Sequence, residues 1–446
     1  MIERIDDLSV ISVPFGRGSV TFSLPKGSRG HVVHGARISP VENPALAVED
    51  ALEHPIGSKR LRDLARPGMK VCVVFTDVTR ASPDRLLVPP LLSELESGGV
   101  ARDDILLLCA VGLHRPSTLE EKVEKLGQGV VESYRIVDHD ALSAEGLVHL
   151  GFTSERMPVV VNRCVAESDL VVASGLVEPH QYAGYSGGAK TVVIGAGGEP
   201  TIAATHGVEM LDRPGVRLGR IEGNPFQRAV REAVGLLPPT FVLNVVKDES
   251  GQIVAVAAGS PVAVHDHLVS KAGSIYTVPV PQMYDVVVAG VGYPKDVNLY
   301  QASRAASYVY FAPLPAVKPG GTIIVPAPCP EGIGQGTGEM RFGDAMAESR
   351  SPQEIVERAR KEGLPAGAQR AFIMAKVMSD VRVVVAGAEN PDLVRRAKFD
   401  YAPTVDAALE DVRRRLGRSP DVLVVPHALL TLPYCCDSER RVGSPG

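Results

Sequence analysis

The sequence predicts an α/β protein of two domains, with mainly parallel sheets flanked by helices. Its apolar runs are short and nearly continuous rather than alternating, which is typical of strands buried on both faces of a parallel sheet. Helical stretches lie between these runs, as the crossovers of a parallel sheet require. The length of 446 residues exceeds what one hydrophobic core usually accommodates.

The predicted strands and helices follow one another along the whole chain. The strands are expected at residues 71–75, 105–108, 170–173, 241–246, 285–289, 322–325, 381–385 and 421–425. The helices are expected at residues 83–97, 224–234, 352–362 and 407–416, and Pro89-Pro90 should kink the first of them or delay its start.

The segment 268–280 reads as a connection between two domains. We therefore expect one domain over residues 1–275, which holds most of the candidate chemistry. A second domain over residues 276–446 should close over it, with the active site in the cleft between them.

Composition excludes several classes of partner. Hydrophobic residues make up 45% of the chain and charged residues 22%, and the net charge of −5 gives no broad attraction to nucleic acid or acidic membranes. The apolar runs are too short to span a bilayer, and the N-terminus lacks the apolar core of a signal peptide. We expect a cytoplasmic protein with no nucleic-acid or membrane partner.

The six cysteines favour a reduced protein. They form no Cys-x-x-Cys pair, so a zinc ribbon or an iron–sulfur site is not expected. The adjacent pair Cys435-Cys436 could bind a metal, but the sequence places no other ligand near it.

The segment 175–190 is the most informative part of the chain. It contains His180, four glycines and Lys190, and His206 follows sixteen residues later. Glycine permits sharp turns and close approach to a ligand, and a lysine can neutralise a phosphate or act as a covalent nucleophile. The spacing matches neither a Walker loop nor a dinucleotide fingerprint. Taken singly, each residue also fits an ordinary turn, an exposed lysine or a core histidine.

Other polar residues follow predicted strands, where open parallel sheets bind their ligands. Asp77, Thr79 and Arg80 come after the first strand, and His114 comes after the second. Arginine can donate two parallel hydrogen bonds to a phosphate or carboxylate, and aspartate can accept hydrogen bonds from ribose hydroxyls. An ion pair between Asp77 and Arg80 at the strand end explains the presence of both residues equally well. Histidine titrates near neutrality, so His114 and His180 together suit proton transfer.

Taken in order, these motifs resemble the nickel-dependent lactate racemase family. The resemblance runs from about residue 70 to residue 305. It rests on Asp77-x-Thr-Arg80, Gly-x-His114-Arg-Pro, Glu-Pro-His180-x-x-Ala-Gly-Tyr-Ser-Gly-Gly-x-Lys190, His206 and Tyr300-Gln301-x-x-Arg304.

The resemblance implies a cofactor and a reaction. The cofactor is a nickel-pincer nucleotide, a pyridinium mononucleotide with two sulfur-bearing arms, which a separate set of maturation enzymes makes. The reaction is racemisation or epimerisation of a small 2-hydroxy acid by reversible hydride transfer from its Cα to the pyridinium ring. The first domain is thereby implied to bind the cofactor and carry the catalytic groups.

The resemblance also implies a role for each residue. Lys190 carries the covalent link to the cofactor, His206 ligates nickel, and His114 and His180 act as the acid/base pair. The nucleotide is held by Asp77, Thr79, Arg80, Gln301 and Arg304, and the substrate by Arg80, Tyr300, Gln301 and Arg304.

Two departures put lactate itself in question. Arg304 stands where the family has lysine, and the chain contains no tryptophan. Arginine binds a carboxylate through two parallel hydrogen bonds, which suits a larger acid with a second carboxylate or a polyol. Two alternatives stay open: a pyridoxal-phosphate enzyme that uses Lys190, and a non-catalytic homologue that binds nickel or nucleotide.

Overall fold

A computed structural model describes residues 1–365 and 367–435, and the chain forms two compact units. The central unit comprises residues 38–216 and 220–274. The terminal unit comprises residues 1–37, 217–219 and the chain from residue 275 onward. In the described ranges, no helix combines the length and the hydropathy needed to cross a bilayer.

The strands of the described residues are, in chain order, β1 (Ile2–Asp6), β2 (Val10–Phe15), β3 (Gly18–Ser23), β4 (Arg29–Val33), β5 (Val71–Thr76), β6 (Ile105–Ala110), β7 (Arg135–Asp138), β8 (Leu147–Phe152), β9 (Pro158–Asn162), β10 (Leu170–Leu176), β11 (Pro179–His180), β12 (Gly184–Tyr185), β13 (Thr240–Lys247), β14 (Ile253–Gly259), β15 (Thr277–Val280), β16 (Tyr284–Ala289), β17 (Val317–Pro326), β18 (Arg382–Ala386), β19 (Asp400–Ala402), β20 (Asp421–Val425) and β21 (Leu432–Cys435).

The helices are α1 (Pro44–Glu53), α2 (Leu61–Leu64), α3 (Asp84–Ser97), α4 (Leu119–Leu126), α5 (Gln128–Ser133), α6 (Arg163–Ala166), α7 (Lys190–Val193), α8 (Glu199–His206), α9 (Val208–Leu211), α10 (Pro225–Val234), α11 (Pro261–Tyr276), α12 (Leu299–Tyr310), α13 (Thr337–Glu348), α14 (Pro352–Glu362), α15 (Gln369–Met378), α16 (Pro391–Arg396) and α17 (Val405–Leu416). A 3₁₀ turn covers Arg102–Asp104.

The central unit is built on a six-stranded sheet in the order β14-β13-β10-β5-β6-β7. All its neighbours are parallel except β13 and β14. Every residue of β5 and of β10 is buried, which is the burial expected where both faces of a strand are covered. Apolar side chains of α1 and α3 pack against this sheet in one core cluster.

The terminal unit contains a seven-stranded sheet in the order β1-β4-β20-β16-β17-β18-β19. Only β1 and β4 are antiparallel in it. The β2–β3 hairpin and α17 bury apolar side chains against this sheet.

The predicted α/β class with mainly parallel sheets is confirmed, and all eight predicted strands are present. The helix at 83–97 begins at Asp84, so Pro89-Pro90 does not delay its start. The chain passes from the central to the terminal unit between residues 274 and 275, within the predicted connection 268–280. This segment is not a loop, because α11 continues to Tyr276 and β15 follows it directly. The units also differ from the predicted division into 1–275 and 276–446: residues 1–37 pack in the terminal unit, where β4 pairs with β20.

Asp285 joins three strands of the terminal sheet. Its carboxylate, on a side chain that is 6% exposed, accepts from Lys318 at 2.8 Å and from both terminal nitrogens of Arg418 at 2.8 Å. It also accepts the backbone N–H of Asp421 at 2.9 Å. Burial alone would raise the pKa of Asp285, but the hydrogen bonds from Arg418 and Lys318 outweigh it and hold this pKa well below its usual range.

We expect Asp285→Asn to lower the free energy of unfolding at pH 7 by about 2 kcal/mol, below the usual cost of breaking a buried pair because both cations are partly solvated. The lowered pKa stabilises the fold above the unfolded-state pKa of about 3.9 and stops doing so as the pH falls through the folded-state value. The difference between wild type and variant, measured by urea unfolding, should therefore shrink below about pH 4. A difference that stayed constant from pH 7 to pH 3 would contradict this assignment.

Candidate active site

Three loops of the central unit meet at the carboxyl edge of its sheet. The strands β10, β5 and β6 are adjacent and parallel. The loop after β5 carries Asp77, Thr79 and Arg80, the loop after β6 carries His114, and the segment after β10 leads to His180. Sequence reasoning predicted these positions from strand ends alone.

Asp77 and His114 form a hydrogen-bonded pair. His114 Nδ1 lies 2.6 Å from Asp77 Oδ2, and the Thr79 hydroxyl donates to Asp77 Oδ1 at 2.7 Å. Burial alone would raise the pKa of Asp77, but the bonds from His114 and Thr79 and the charge of Arg80 hold it below its ordinary value. Asp77 is therefore an anion that accepts the Nδ1–H of His114. The Nε2 atom of a neutral His114 consequently holds the lone pair.

His180 lies in a short hairpin formed by β11 and β12. Gly184, which pairs with His180, has φ of +76°, and a Cβ there would lie 2.1 Å from the carbonyl oxygen of Arg220. Only glycine fits this turn. His180 Nδ1 accepts from the backbone N–H groups of Tyr182 at 3.3 Å and Ala183 at 3.2 Å. A neutral His180 therefore carries its proton on Nε2, the opposite tautomer to His114.

His206 is the last residue of α8 and is held neutral. Its Nδ1 lies 3.2 Å from the carbonyl oxygen of Ile202, to which it can donate, so that Nε2 holds the lone pair. Burial, followed by the positive charges of Lys190 and Arg80, lowers the pKa of His206 to about 3 despite the opposing bond to Ile202.

Two aromatic rings bring His180 and His206 into one neighbourhood. Tyr182 packs edge-on against His180 and against His206, with ring centroids 5.6 Å apart in both pairs. Phe226 lies 5.3 Å from His206 and 6.3 Å from His180. Both imidazoles thus share the same apolar walls.

The glycine-rich loop before Lys190, residues 184–189, is held by hydrogen bonds to β10 and β13. The backbone N–H of Gly188 donates to Asn244 Oδ1 at 2.7 Å, and the Ser186 hydroxyl donates to the carbonyl of Leu176 at 2.7 Å. At Gly188, where φ is +54°, a Cβ would lie 2.8 Å from that of His265, so a larger residue would displace the loop. Lys190 begins α7 directly after this loop.

Tyr300, Gln301 and Arg304 lie in the terminal unit, on α12. The helix is capped by Asn298, whose side chain accepts the backbone N–H of Gln301 at 2.9 Å. Arg304 donates to the Tyr308 hydroxyl at 2.9 Å and lies 3.4 Å from the Gln301 side-chain oxygen. The structure brings Gln301 and Arg304 together, whereas their roles toward a substrate or nucleotide stay predictions.

Several residues of this edge were missed by sequence reasoning. Asn244 is wholly buried in the middle of β13, and its side-chain nitrogen has no hydrogen-bond partner among the described residues. A polar residue inside an apolar run was a visible signal that was not used. Asp84 and Lys125 form a buried ion pair beneath the loop that carries Arg80, and neither showed any feature that separates it from a surface charge.

Sequence profiles and known proteins agree on the family of this chain. The profile described as the lactate racemase N-terminal domain matches residues 15–219, and that of the lactate racemase C-terminal domain matches residues 281–431. The lactate racemase of Thermoanaerobacterium thermosaccharolyticum is 32% identical over 423 residues, which cover 93% of this chain and 97% of that protein. The lactate racemase of Lactiplantibacillus plantarum is 33% identical over 388 residues, or 86% of this chain and 89% of that protein.

Solved structures agree with the sequence matches. The lactate racemase apoprotein from T. thermosaccharolyticum superposes with a TM-score of 0.84 at 30% identity, over 95% of this chain and 100% of that one. A Thermotoga maritima protein with a TM-score of 0.65 is 17% identical, covers 89% of this chain and 100% of its own, and shows a shared fold alone. The chain belongs to the lactate racemase family and is an isomerase.

Proposed function

We propose that this isomerase racemises lactate or a related 2-hydroxy acid with His114 and His180 as its acid/base pair. The observation that supports this most directly is the Asp77–His114 hydrogen bond at the carboxyl edge of the sheet, beside the strand that leads to His180. The Nδ1 contacts of the two rings support this pairing, because a neutral His114 then has a free lone pair on Nε2 and a neutral His180 a proton there.

The reaction explains why two histidines are needed. The Cα–H of a 2-hydroxy acid is very weakly acidic, so loss of a proton from Cα would face a large barrier. When the Cα hydrogen leaves as hydride, the base has only to remove the hydroxyl proton, and a planar 2-oxo acid results. The hydroxyl groups of the two enantiomers point in different directions, so each needs its own proton acceptor or donor.

The residues fit a nickel-pincer nucleotide. His206 offers an unprotonated Nε2 as the metal ligand, and Lys190 follows a glycine loop that admits close approach of a ligand. Asn244 Nδ2 is buried beside that loop without a partner, and Arg80 supplies positive charge. The group, when bound, accepts and returns the Cα hydrogen as hydride. Among the described residues, no three His, Cys, Asp or Glu side chains are grouped to hold a metal by themselves.

Arg80, Tyr300, Gln301 and Arg304 are proposed to bind the substrate, and Asp77, Thr79, Arg80, Gln301 and Arg304 the nucleotide, as the family resemblance implies. Asp77 and Thr79 have a second task that the contacts support: they orient His114. Maturation enzymes that supply the cofactor and a cytoplasmic location remain predictions.

Lys190 should carry the cofactor covalently. In protein matured with the cofactor pathway, we expect added mass on the peptide that contains Lys190, and neither added mass nor turnover in Lys190→Arg. Protein made without the pathway should be unmodified and inactive. Full activity with an unmodified Lys190 would contradict the covalent link, and a borohydride-reducible adduct on Lys190 would favour pyridoxal phosphate instead.

Single substitution of either histidine should slow racemisation by about 10²–10⁴-fold in both directions, since the equilibrium constant between enantiomers is 1. The half-reaction, in which one enantiomer is oxidised to the 2-oxo acid, should distinguish the role of His114 from that of His180. In acid-quenched single turnovers, His114→Gln should form 2-oxo acid from one enantiomer only, and His180→Gln from the other only. If both variants oxidise the same enantiomer, the assignment of one base to each enantiomer is wrong. If wild-type holoenzyme turns over no 2-hydroxy acid, the non-catalytic alternative gains support.

Arg304→Lys should change which acid is preferred. Lysine cannot bind a carboxylate through two parallel hydrogen bonds as arginine does. The kcat/KM for a 2-hydroxy acid with a second carboxylate should therefore fall about 10-fold more than the kcat/KM for lactate. Tyr308→Phe, which removes only the hydroxyl that Arg304 contacts, is the matched control. Equal losses for both acids would remove Arg304 from substrate selection.

A further inference from the structure

Beneath the loop that carries Asp77 and Arg80 lies a buried ion pair. Lys125 Nζ is 2.7 Å from Asp84 Oδ2, and the two side chains are 9% and 0% exposed. Lys125 belongs to α4, whereas Asp84 is the first residue of α3. The proton chemistry proposed above uses neither residue.

Every polar atom of this pair has a partner. Asp84 Oδ1 accepts from the hydroxyls of Ser82 at 2.9 Å and Ser174 at 2.6 Å. Asp84 Oδ2 accepts from the Thr76 hydroxyl at 2.6 Å in addition to Lys125. A buried charge pair is tolerated where hydrogen bonds satisfy all its remaining donors and acceptors, as they do here.

The ammonium group of Lys125 also binds the backbone of the loop. It donates to the carbonyl oxygens of Arg80 at 3.2 Å and Ser82 at 2.9 Å, and lies 3.0 Å from the Thr76 hydroxyl. Thr76 is the last residue of β5, so Lys125 holds both the start and the end of the segment 76–82. Asp77, which bonds to His114, lies within this segment.

We propose that Lys125 is a positioning residue, which holds the loop 77–82 in the conformation in which Asp77 orients His114. Asp84 keeps the ammonium in place, and its bond to Ser174 ties the same cluster to β10, the strand that leads to His180. The inference rests on the proposed function in taking His114 as a catalytic base, but the orientation of His114 can be measured without turnover.

The test compares two variants that lack the Asp84 charge. Asp84→Asn keeps the volume and leaves Lys125 its two carbonyl acceptors, whereas Asp84→Asn/Lys125→Met also removes the ammonium. The ring tautomer of His114 is read in the cofactor-free protein from long-range ¹H–¹⁵N correlations, with His114→Gln to assign the signals and Asp77→Asn to define an unoriented ring. Thermal unfolding reports folding separately.

We expect Asp84→Asn to retain the Nδ1–H tautomer of His114 and the double variant to lose it, as Asp77→Asn does. In holoenzyme the double variant should lose about 10²-fold in kcat, with KM changed less than about threefold, since a displaced catalytic group costs rate more than binding. Lys122→Met is the matched control: it removes a 2.6 Å ion pair to Asp138 one turn earlier on α4 and should keep both the tautomer and kcat.

A folded double variant with the wild-type tautomer and kcat would overturn the proposal and leave the pair a structural one. If the double variant does not fold, Lys125→Gln replaces it, with the same expected and contrary outcomes. Failure of the proposed function looks different: wild-type holoenzyme would then racemise nothing, whatever the tautomer of His114.

Discussion

The buried charge pair Lys125–Asp84 is the interaction on which the loop at the carboxyl edge of the central sheet depends. The segment 77–82 has no strand to pair with and no helix of its own, so its backbone carbonyls need donors from elsewhere. Lys125 donates to the carbonyls of Arg80 and Ser82 from a helix that follows the His114 loop in sequence, and Lys247 donates to that of Ala81. One ammonium group therefore connects the segments that carry Asp77 and His114, and Asp84 makes its burial tolerable by accepting from hydroxyls on two adjacent strands.

The two histidines are held by different kinds of partner, and this difference bears on how one site could serve two enantiomers. His114 donates to a carboxylate at 2.6 Å, a charge-assisted bond that fixes its tautomer firmly. His180 accepts from two backbone N–H groups at 3.2 and 3.3 Å, which are long, weak bonds. If His180 is to accept a proton on Nε2 in one direction of the reaction, these two backbone bonds to Nδ1 are ones that it has to give up. The symmetry required of a racemase would then come from an asymmetric pair with one rigid and one adaptable member.

The strands and their polar ends could be predicted because each is a local pattern: a continuous apolar run followed by an uncharacteristic polar residue. The pairing of Asp77 with His114 could be anticipated only as a shared sheet edge, since the two are 37 residues apart. Residues 1–37 were assigned to the first domain by chain order, yet β4 pairs with β20, a contact of nearly 400 residues' separation that no local pattern encodes. Lys125 could not be singled out for a related reason, because it and Lys122 lie on the same amphipathic helix. Only the packed structure shows that Lys125 reaches the loop after β5 and that Lys122 reaches Asp138.

The electrostatics around His206 favour an anionic cofactor over a bare metal ion. Burial is the main reason that this imidazole stays neutral, and the positive charges of Lys190 and Arg80 add to it. Those two charges would also repel an aqueous dication, and no carboxylate or thiolate cluster of the described residues offsets them. A metal that arrives with anionic sulfur and phosphate groups meets the opposite situation, because those groups are attracted by the two cations while the metal needs only one neutral ligand. A single histidine of lowered pKa is a poor basis for a metal site built of protein ligands alone, but it fits the proposed cofactor, which would arrive with its metal already bound.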